Sequence, residues 1–225
     1  MPWLVHAYTA SSAVLALLAL IAAVAGDVRT AFLWLTAAVV VDATDGWLAR
    51  IVGVRERLPH FNGGRLDDIV DYLTFVFVPL FLLQHTGRLP PRAGIAIVAA
   101  ALVASAYGFS REDAKSDDHF FTGFPSYWNI VALYLVALES PPAVNAGILL
   151  ALTALVFVPI GYVYPSRTPA LRGLTLTLGV LWGLAMTLVV WQLPAPSRAL
   201  VVASLSFPAY YLVVSLVLHS RRART

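Results

Sequence analysis

Four aspartates in two short segments are the side chains of this chain best suited to chemistry. Asp42 and Asp45 lie in the first segment, and Asp67 and Asp71 lie in the second. Spacings of three and four residues put each pair on one face of a helix, whereas Asp68 points about 100° away. If the two segments form a helical hairpin, the acidic faces meet and repel one another. A divalent cation removes that repulsion, and ligation by oxygen alone suits Mg²⁺ or Mn²⁺.

Helix capping is the structural alternative for these aspartates. An aspartate near the start of a helix accepts backbone N–H bonds and favours the positive end of the dipole, which fits Asp67 and Asp68. Capping does not explain Asp42 and Asp45, because they lie near the C-terminal end of an apolar run. The four aspartates together therefore favour a metal site.

The first acidic segment also carries features suited to a phosphate-containing ligand. Gly46 and Ala49 share the helical face of Asp42 and would let a ligand approach the backbone closely. Arg50 is the cation of this segment, and a guanidinium binds phosphate through two parallel hydrogen bonds.

The composition places these residues in a membrane protein. Of the 225 residues, 60% are hydrophobic and 12% are charged, and the mean hydropathy is +0.80. A soluble domain usually has about twice that charged fraction, so soluble enzymes and nucleic-acid-binding proteins are poor interpretations. The absence of cysteine excludes disulfides and thiolate metal ligands.

Apolar runs of about 20 residues predict transmembrane helices. We expect an all-α, polytopic membrane helix bundle of about eight transmembrane helices, forming a single domain over 1–225. The predicted spans are 6–25, 30–51, 66–85, 92–109, 125–139, 143–163, 171–192 and 197–219.

The positive charges predict the orientation of these spans. With eight spans, 11 of the 15 Lys and Arg residues fall in the even-numbered loops and at the C-terminus, all on one side. The positive-inside rule then places those loops and both termini in the cytoplasm. We expect a multi-pass protein of the cell inner membrane, with the acidic segments at the cytoplasmic surface.

The pattern Asp42-x-x-Asp45-Gly46-x-x-Ala49-Arg50, followed by Gly63-x-x-x-Asp67-x-x-x-Asp71, resembles the signature of the CDP-alcohol phosphotransferases. The spacer between Arg50 and Gly63 has 12 residues, which is longer than the usual family pattern and is similar to that of the bacterial phosphatidylcholine synthases. Further segments resemble that subfamily, so the similarity runs over nearly the whole chain: 57–61, 71–74, 120–125, 128–129 and 164–167.

The resemblance implies a reaction and a role for each motif residue. It implies condensation of CDP-diacylglycerol with choline, giving phosphatidylcholine and CMP, with Mn²⁺ favoured over Mg²⁺, in a homodimer in the lipid bilayer. It implies that Asp71 is the general base. The implied metal ligands are Asp42, Asp45, Asp67 and Asp71. The implied contacts to the CDP donor are Asp42, Gly46, Ala49, Arg50, Gly63 and Asp67.

Choline adds a requirement for aromatic side chains, because its quaternary ammonium is recognised by ring faces and anionic groups. Arg167 is a candidate ligand for a donor phosphate. Alternatively, it only reflects the excess of positive charge on the cytoplasmic side or contacts anionic lipid. Each aromatic ring could instead belong to the belt of aromatic side chains at the membrane–water interface. The candidate choline-binding residues are Tyr72, Phe121, Phe124, Tyr127 and Trp128.

Two other functions stay open. The same chemistry with serine, inositol or glycerol phosphate would need a different acceptor pocket, and a phosphate-bearing acceptor would need extra cations. A cation transporter would use the same carboxylates. Transport, however, requires neither Arg50 nor the spacing of Gly46, Ala49 and Gly63.

Overall fold

The chain folds as a bundle of α-helices with one small two-stranded antiparallel sheet. The computed structural model describes residues 1–114, 120–165, 168 and 171–222. Within these ranges the helices are α1 (Pro2–Val24), α2 (Val28–Val52), α3 (Val54–Arg57), α4 (Gly63–Asp71), α5 (Val78–His85), α6 (Gly94–Ser110), α7 (Trp128–Ala137), α8 (Pro142–Leu155), α9 (Arg172–Gln192), α10 (Arg198–Ser204) and α11 (Ser206–Arg222). A π-helical segment, Tyr72–Phe77, joins α4 to α5, and strands β1 (Phe120–Thr122) and β2 (Gly161–Val163) pair antiparallel.

The helices have the length and surface of a polytopic membrane bundle. By length and composition, four helical stretches of the described chain are able to cross a membrane: α1, α2, α9 and the stretch Arg198–Arg221. Helices α6, α7 and α8 are apolar but shorter. Large apolar side chains point outward, as Leu184 does with 61% of its surface exposed, which is typical of a lipid-facing helix. The fold class is confirmed, whereas the number of eight spans is not.

Two predicted spans differ from the observed elements. The run 143–163 is a helix only to Leu155, and its last three residues form β2. Pro159 interrupts the helix, and periodicity cannot distinguish a short apolar strand from a buried helix. The run 197–219 is divided between α10 and α11. Pro208 lacks the N–H that would bond to the carbonyl of Ser204, so the helix is interrupted there.

Side-chain caps fix where the helices around the acidic segments begin. Asn62 caps α4, its Oδ1 accepting a hydrogen bond from the Arg65 N–H at 3.0 Å. Asp67 and Asp68 lie more than one turn further on, so the capping interpretation of these two residues is wrong. Asp27 caps α2 and accepts from the Thr30 N–H at 3.0 Å. The hydrogen bonds from Thr30 lower the pKa of Asp27 below its usual value.

Helices α1 and α2 pack closely, and this packing positions the first acidic segment. Ala19 and Ala23 of α1 and Ala31 of α2 are fully buried. Small side chains of this kind let two helix backbones approach each other in a membrane. Towards the acidic end, the Tyr8 hydroxyl and Thr44 Oγ1 are hydrogen-bonded at 2.8 Å.

Candidate active site

Three aspartates meet between α2 and α4. Asp42 lies on α2, Asp67 and Asp71 lie on α4, and one carboxylate oxygen from each lies within 4.8 Å of the other two. All three side chains are half-buried. Ligands at about 2.1 Å from one octahedral ion lie up to about 4.2 Å apart, so small side-chain rotations would bring the three oxygens to one Mg²⁺ or Mn²⁺. This acidic trio fits a divalent ion that keeps sites for water or substrate.

Asp45 has different surroundings from the acidic trio. Its side chain is 7% exposed, and its Oδ2 accepts a hydrogen bond from Thr9 Oγ1 of α1 at 2.7 Å. Among the described acidic residues, Asp45 is not part of the group whose ligand atoms converge. Its metal ligation therefore stays a prediction, whereas its contact with α1 is observed.

The predicted donor contacts on α2 lie along the helix beyond Asp42. Gly46 and Arg50 are exposed, and Ala49 is half-exposed. A Cβ built on Gly46 would lie 3.5 Å from Arg50 Nη1, so the guanidinium lies over the small face of its own helix. The contact of a donor phosphate with this face stays a prediction.

The predicted donor contact at Gly63 has a neighbour that the sequence did not reveal. A Cβ on Gly63 would lie 2.8 Å from Cε1 of His6, which is closer than side-chain atoms approach. The His6 ring packs between Trp3 and Phe61, with centroid distances of 6.0 and 4.2 Å. Because His6 is only 7% exposed, its ring has little room to move, and glycine is required for α4 to approach α1.

A cavity of about 280 Å³ opens beside the acidic trio. Its lining combines carboxylates with aromatic rings, which suits a small cationic ligand. The lining includes Asp42, Asp67, Asp68, Asp71, Phe75, Phe109, Arg111, Glu112, Phe121, Phe124, Tyr127 and Tyr164.

Three of the five aromatic residues predicted to bind choline line this cavity, namely Phe121, Phe124 and Tyr127. The Tyr72 hydroxyl instead donates to the Leu102 carbonyl at 2.9 Å. Trp128 is fully buried and donates from Nε1 to Ser105 Oγ at 2.8 Å. Neither Tyr72 nor Trp128 is among the described residues that line the cavity. A choline contact for these two residues stays a prediction.

Three lining rings were not among the predicted ones: Phe75, Phe109 and Tyr164. Tyr164 stacks on Phe121 with a centroid distance of 4.6 Å. The antiparallel pairing of β1 with β2 brings these two distant parts of the chain together. The sequence offered one signal for Tyr164, its place in a segment that resembles the subfamily. Arg167 of that segment lies outside the described residues.

The segment between β1 and α7 is held against the end of α8. Gly123 has φ +83°, and a Cβ there would lie 2.3 Å from the Val156 carbonyl oxygen. Its N–H donates to the Ile160 carbonyl at 2.9 Å, and the Phe124 N–H donates to the Leu155 carbonyl at 3.0 Å. Both the conformation and the close approach require glycine at this position.

The charges around the cavity are mainly negative. The described lining contains five carboxylates and one guanidinium, that of Arg111. Arg111 donates to both oxygens of Asp113, at 2.7 and 2.6 Å. Tyr127 lies in the loop before α7, and burial together with the negative charges of Asp42 and Asp71 raises the pKa of its phenol above the usual value. The Tyr127 hydroxyl therefore keeps its proton beside the trio.

Comparison with known proteins finds one matching family and several similar proteins. The model of the family described as CDP-alcohol phosphatidyltransferase matches residues 4–163, which include every motif residue. A phosphatidylcholine synthase of Pseudomonas aeruginosa is 38% identical, over 95% of this chain and 90% of its own length. One of Legionella pneumophila is 39% identical, over 95% and 86%. One of Rhizobium johnstonii is 33% identical, over 95% and 88%.

Proposed function

The chain belongs to the CDP-alcohol phosphatidyltransferase family, a family of transferases for substituted phosphate groups, and we propose that it joins choline to CDP-diacylglycerol. The reaction forms phosphatidylcholine and releases CMP. The observation that carries this assignment is a cavity lined both by the acidic trio and by the rings of Phe121, Tyr127 and Tyr164. The three curated relatives, each named a phosphatidylcholine synthase, support the same acceptor.

The residues of this site can be assigned to the two substrates. The face of Gly46, Ala49 and Arg50 binds the pyrophosphate of the donor, and the cavity holds choline. The acyl chains of the donor remain in the bilayer. Choline and the reacting phosphorus then meet at the acidic trio, where α2 and α4 come together.

The reaction transfers the phosphatidyl group to an alcohol. Asp71 takes the proton of the choline hydroxyl, whose oxygen attacks the phosphorus that bears diacylglycerol. A new P–O bond forms, and the bond from that phosphorus to the CMP oxygen breaks. A divalent ion at the trio would neutralise charge on the pyrophosphate. We propose Mn²⁺ ahead of Mg²⁺, which titration of activity with each ion after EDTA treatment tests.

Another acceptor alcohol is the second candidate function. The excess of carboxylates in the described lining disfavours glycerol phosphate, because a dianion would be repelled. Serine and inositol lack the quaternary ammonium that aromatic faces recognise best. The stacked pair Phe121 and Tyr164 therefore favours choline.

Product formation in vesicles tests the proposed function. Purified protein, CDP-diacylglycerol and Mn²⁺ receive labelled choline, serine, inositol or glycerol 3-phosphate in separate reactions. We expect phosphatidylcholine from choline alone, and no product with EDTA. Product from another alcohol would keep the aspartate site and reject the choline pocket. Absence of CMP release with every acceptor would favour the transporter.

We propose that the acidic trio lies at the cytoplasmic surface of a cell inner membrane. The cavity draws its lining from residues next to three loops that the charge distribution assigns to the cytoplasm: 51–65, 110–124 and 164–170. Labelling of Gln192→Cys and Arg57→Cys in intact cells with an impermeant thiol reagent tests the sidedness. The chain has no cysteine of its own. We expect labelling at 192 alone, and labelling at 57 would reverse the orientation.

The homodimer implied by the resemblance also stays a proposal. Cross-linking in native membranes is expected to give a species of twice the chain's mass. Recovery of monomers alone, under conditions that cross-link a known dimer, would contradict it.

Replacement of the stacked rings is expected to weaken choline binding. Phe121→Leu and Tyr164→Leu should each raise the KM for choline about 3- to 30-fold, since a cation–π contact contributes about 0.5–2 kcal/mol. The KM for CDP-diacylglycerol should stay near the wild-type value. Steady-state assays with each substrate varied in turn measure both constants.

The matched control for the ring variants is Phe77→Leu. Phe77 belongs to the same helical run as Asp71, is 38% exposed and is not among the described lining residues. An equal increase in the choline KM for all three variants would reject the ring pair as the choline site.

Gly63→Ala is expected to lower activity through its contact with His6. The added methyl group forces α4 away from α1, and overpacking of this kind costs about 1–3 kcal/mol. Because α4 carries Asp67 and Asp71, and a misplacement of about 1 Å can cost about 100-fold in rate, we expect kcat/KM to fall about 10- to 100-fold. In the double variant His6→Ala, Gly63→Ala the clash is absent, and most of the activity should return.

The double variant separates two roles for Gly63. If the glycine is needed for direct approach of the donor, the double variant stays as inactive as Gly63→Ala. Gly64→Ala is the control, because its Cβ would make only an ordinary 3.5 Å contact with Asn62 Oδ1.

A further inference from the structure

The outer edge of β2 has polar backbone groups that need partners in an apolar environment. β2 pairs with β1 on one side only, in a register that sets Tyr162 opposite Phe121. Gly161 and Val163 flank Tyr162 and turn their backbone groups to the other side, where the described part of the chain provides no neighbouring strand. All three residues of β2 are buried, and a buried backbone group without a hydrogen-bond partner is costly.

Helix α11 supplies those partners through three side chains. The Val163 N–H donates to Ser215 Oγ at 3.1 Å, and the Gly161 N–H donates to His219 Nδ1 at 3.1 Å. The Tyr211 hydroxyl donates to the Val163 carbonyl at 2.9 Å. Ser215 is completely buried. Both outward N–H groups of β2 are therefore bonded to side chains of one helix.

The spacing of these side chains matches the strand. Residues 211, 215 and 219 are four apart, so they form a stripe along one face of α11. Four helical residues rise about 6 Å, and two strand residues rise about 6.6 Å. The hydroxyl of Ser215 and the imidazole of His219 thus meet alternate residues of β2. A shift of β2 by one residue would break both bonds.

The pair of strands β1 and β2, held in this register by α11, carries the stacked rings of the cavity. Phe121 lies in β1, and Tyr164 directly follows β2. Their rings are stacked at 4.6 Å and line the cavity with the acidic trio. The distance from the rings to the aspartates therefore depends on where α11 holds β2. Helix α11 lies beyond residues 4–163, which the family model matches.

We propose that Tyr211, Ser215 and His219 are positioning residues for the acceptor, and that α11 sets acceptor affinity by fixing the register of β2. This inference rests on the proposed function, since it takes the cavity as the acceptor pocket. The shared family region supplies the donor site and the aspartates. The C-terminal helix aligns the wall that recognises the alcohol.

Variants of the α11 stripe, assayed in the full-length protein in vesicles, test this proposal. Ser215→Ala, His219→Leu and Tyr211→Phe should each raise the choline KM about fivefold, the scale of one lost hydrogen bond. The KM for CDP-diacylglycerol and the Mn²⁺ requirement should not change. His219→Gln should keep a KM within about twofold of wild type, because its side-chain oxygen accepts a bond from Gly161.

Ser220→Ala is the control on the same helix. Ser220 is exposed, and its hydroxyl donates to the Val217 carbonyl of α11 itself. Its kinetic constants should equal those of the wild type. Tyr211→Phe removes only a hydroxyl group, so it keeps the test valid if Ser215→Ala does not fold.

Two outcomes would overturn the inference. One is an unchanged KM for choline in folded stripe variants. The other is an equal rise in the KM for choline and the KM for CDP-diacylglycerol, which would indicate a general structural role. Failure of the proposed function has a different signature, because the wild type would then make no phosphatidylcholine. If the wild type uses another alcohol, the KM for that alcohol tests the stripe in the same way.

Discussion

Asp71→Asn is expected to lower kcat for phosphatidylcholine formation about 10³-fold, within the range of about 10²–10⁴ that a general base contributes. Asparagine has the shape of aspartate but does not accept the choline proton. Raising Mn²⁺ compensates for a weakened metal site but does not replace the missing base. The loss should therefore persist at saturating Mn²⁺ and saturating choline.

The matched control for Asp71→Asn is Asp68→Asn. Asp68 lines the same cavity but is not part of the trio, so its replacement removes the same charge without removing the base. Single-turnover formation of labelled phosphatidylcholine measures the chemical step in both variants. We expect Asp68→Asn to stay within about tenfold of wild type, because its carboxylate is not one of the three that converge. Undiminished turnover by Asp71→Asn would reject Asp71 as the base.

The helical pattern of the motif predicted that four aspartates of the two segments would meet, and three of them do. Asp67 and Asp71 are one turn apart on α4, and Asp42 lies on α2 where the two helices meet. Local spacing fixes the face on which each carboxylate lies, and the hairpin leaves only one way for those faces to meet. The surroundings of Asp45 could not be predicted in this way, because its partner Thr9 comes from α1 and depends on the packing of that helix.

The acceptor wall could be predicted only in part. The aromatic-rich segment predicted Phe121 and Tyr127, which line the cavity. The number of aromatic residues in a segment does not show, however, which of their side chains point into a cavity. Trp128 begins α7 and turns into the core, where Ser105 accepts its N–H. Tyr164 reaches the cavity through the pairing of two three-residue strands. Such short strands leave no periodic signal in an apolar sequence.

Asp42→Asn is expected to lower kcat/KM about 100-fold at limiting Mn²⁺, because it removes one of three converging carboxylates. Loss of a group that supports a metal site commonly costs about 10–100-fold in affinity. Unlike Asp71→Asn, this variant should recover part of its activity as Mn²⁺ is raised. Activity as a function of Mn²⁺ concentration, with CDP-diacylglycerol saturating, separates the two effects.

Asp45→Asn is the matched comparison for the Mn²⁺ requirement of Asp42→Asn. Thr9 already engages one oxygen of Asp45, and an asparagine oxygen would still accept that bond, so the pairing of α1 with α2 should survive. We expect the Mn²⁺ requirement of Asp45→Asn to rise about tenfold, less than that of Asp42→Asn. An unchanged requirement would restrict Asp45 to its contact with α1. An unchanged requirement in Asp42→Asn would reject the acidic trio as the metal site, since no other group of described acidic residues converges as these three do.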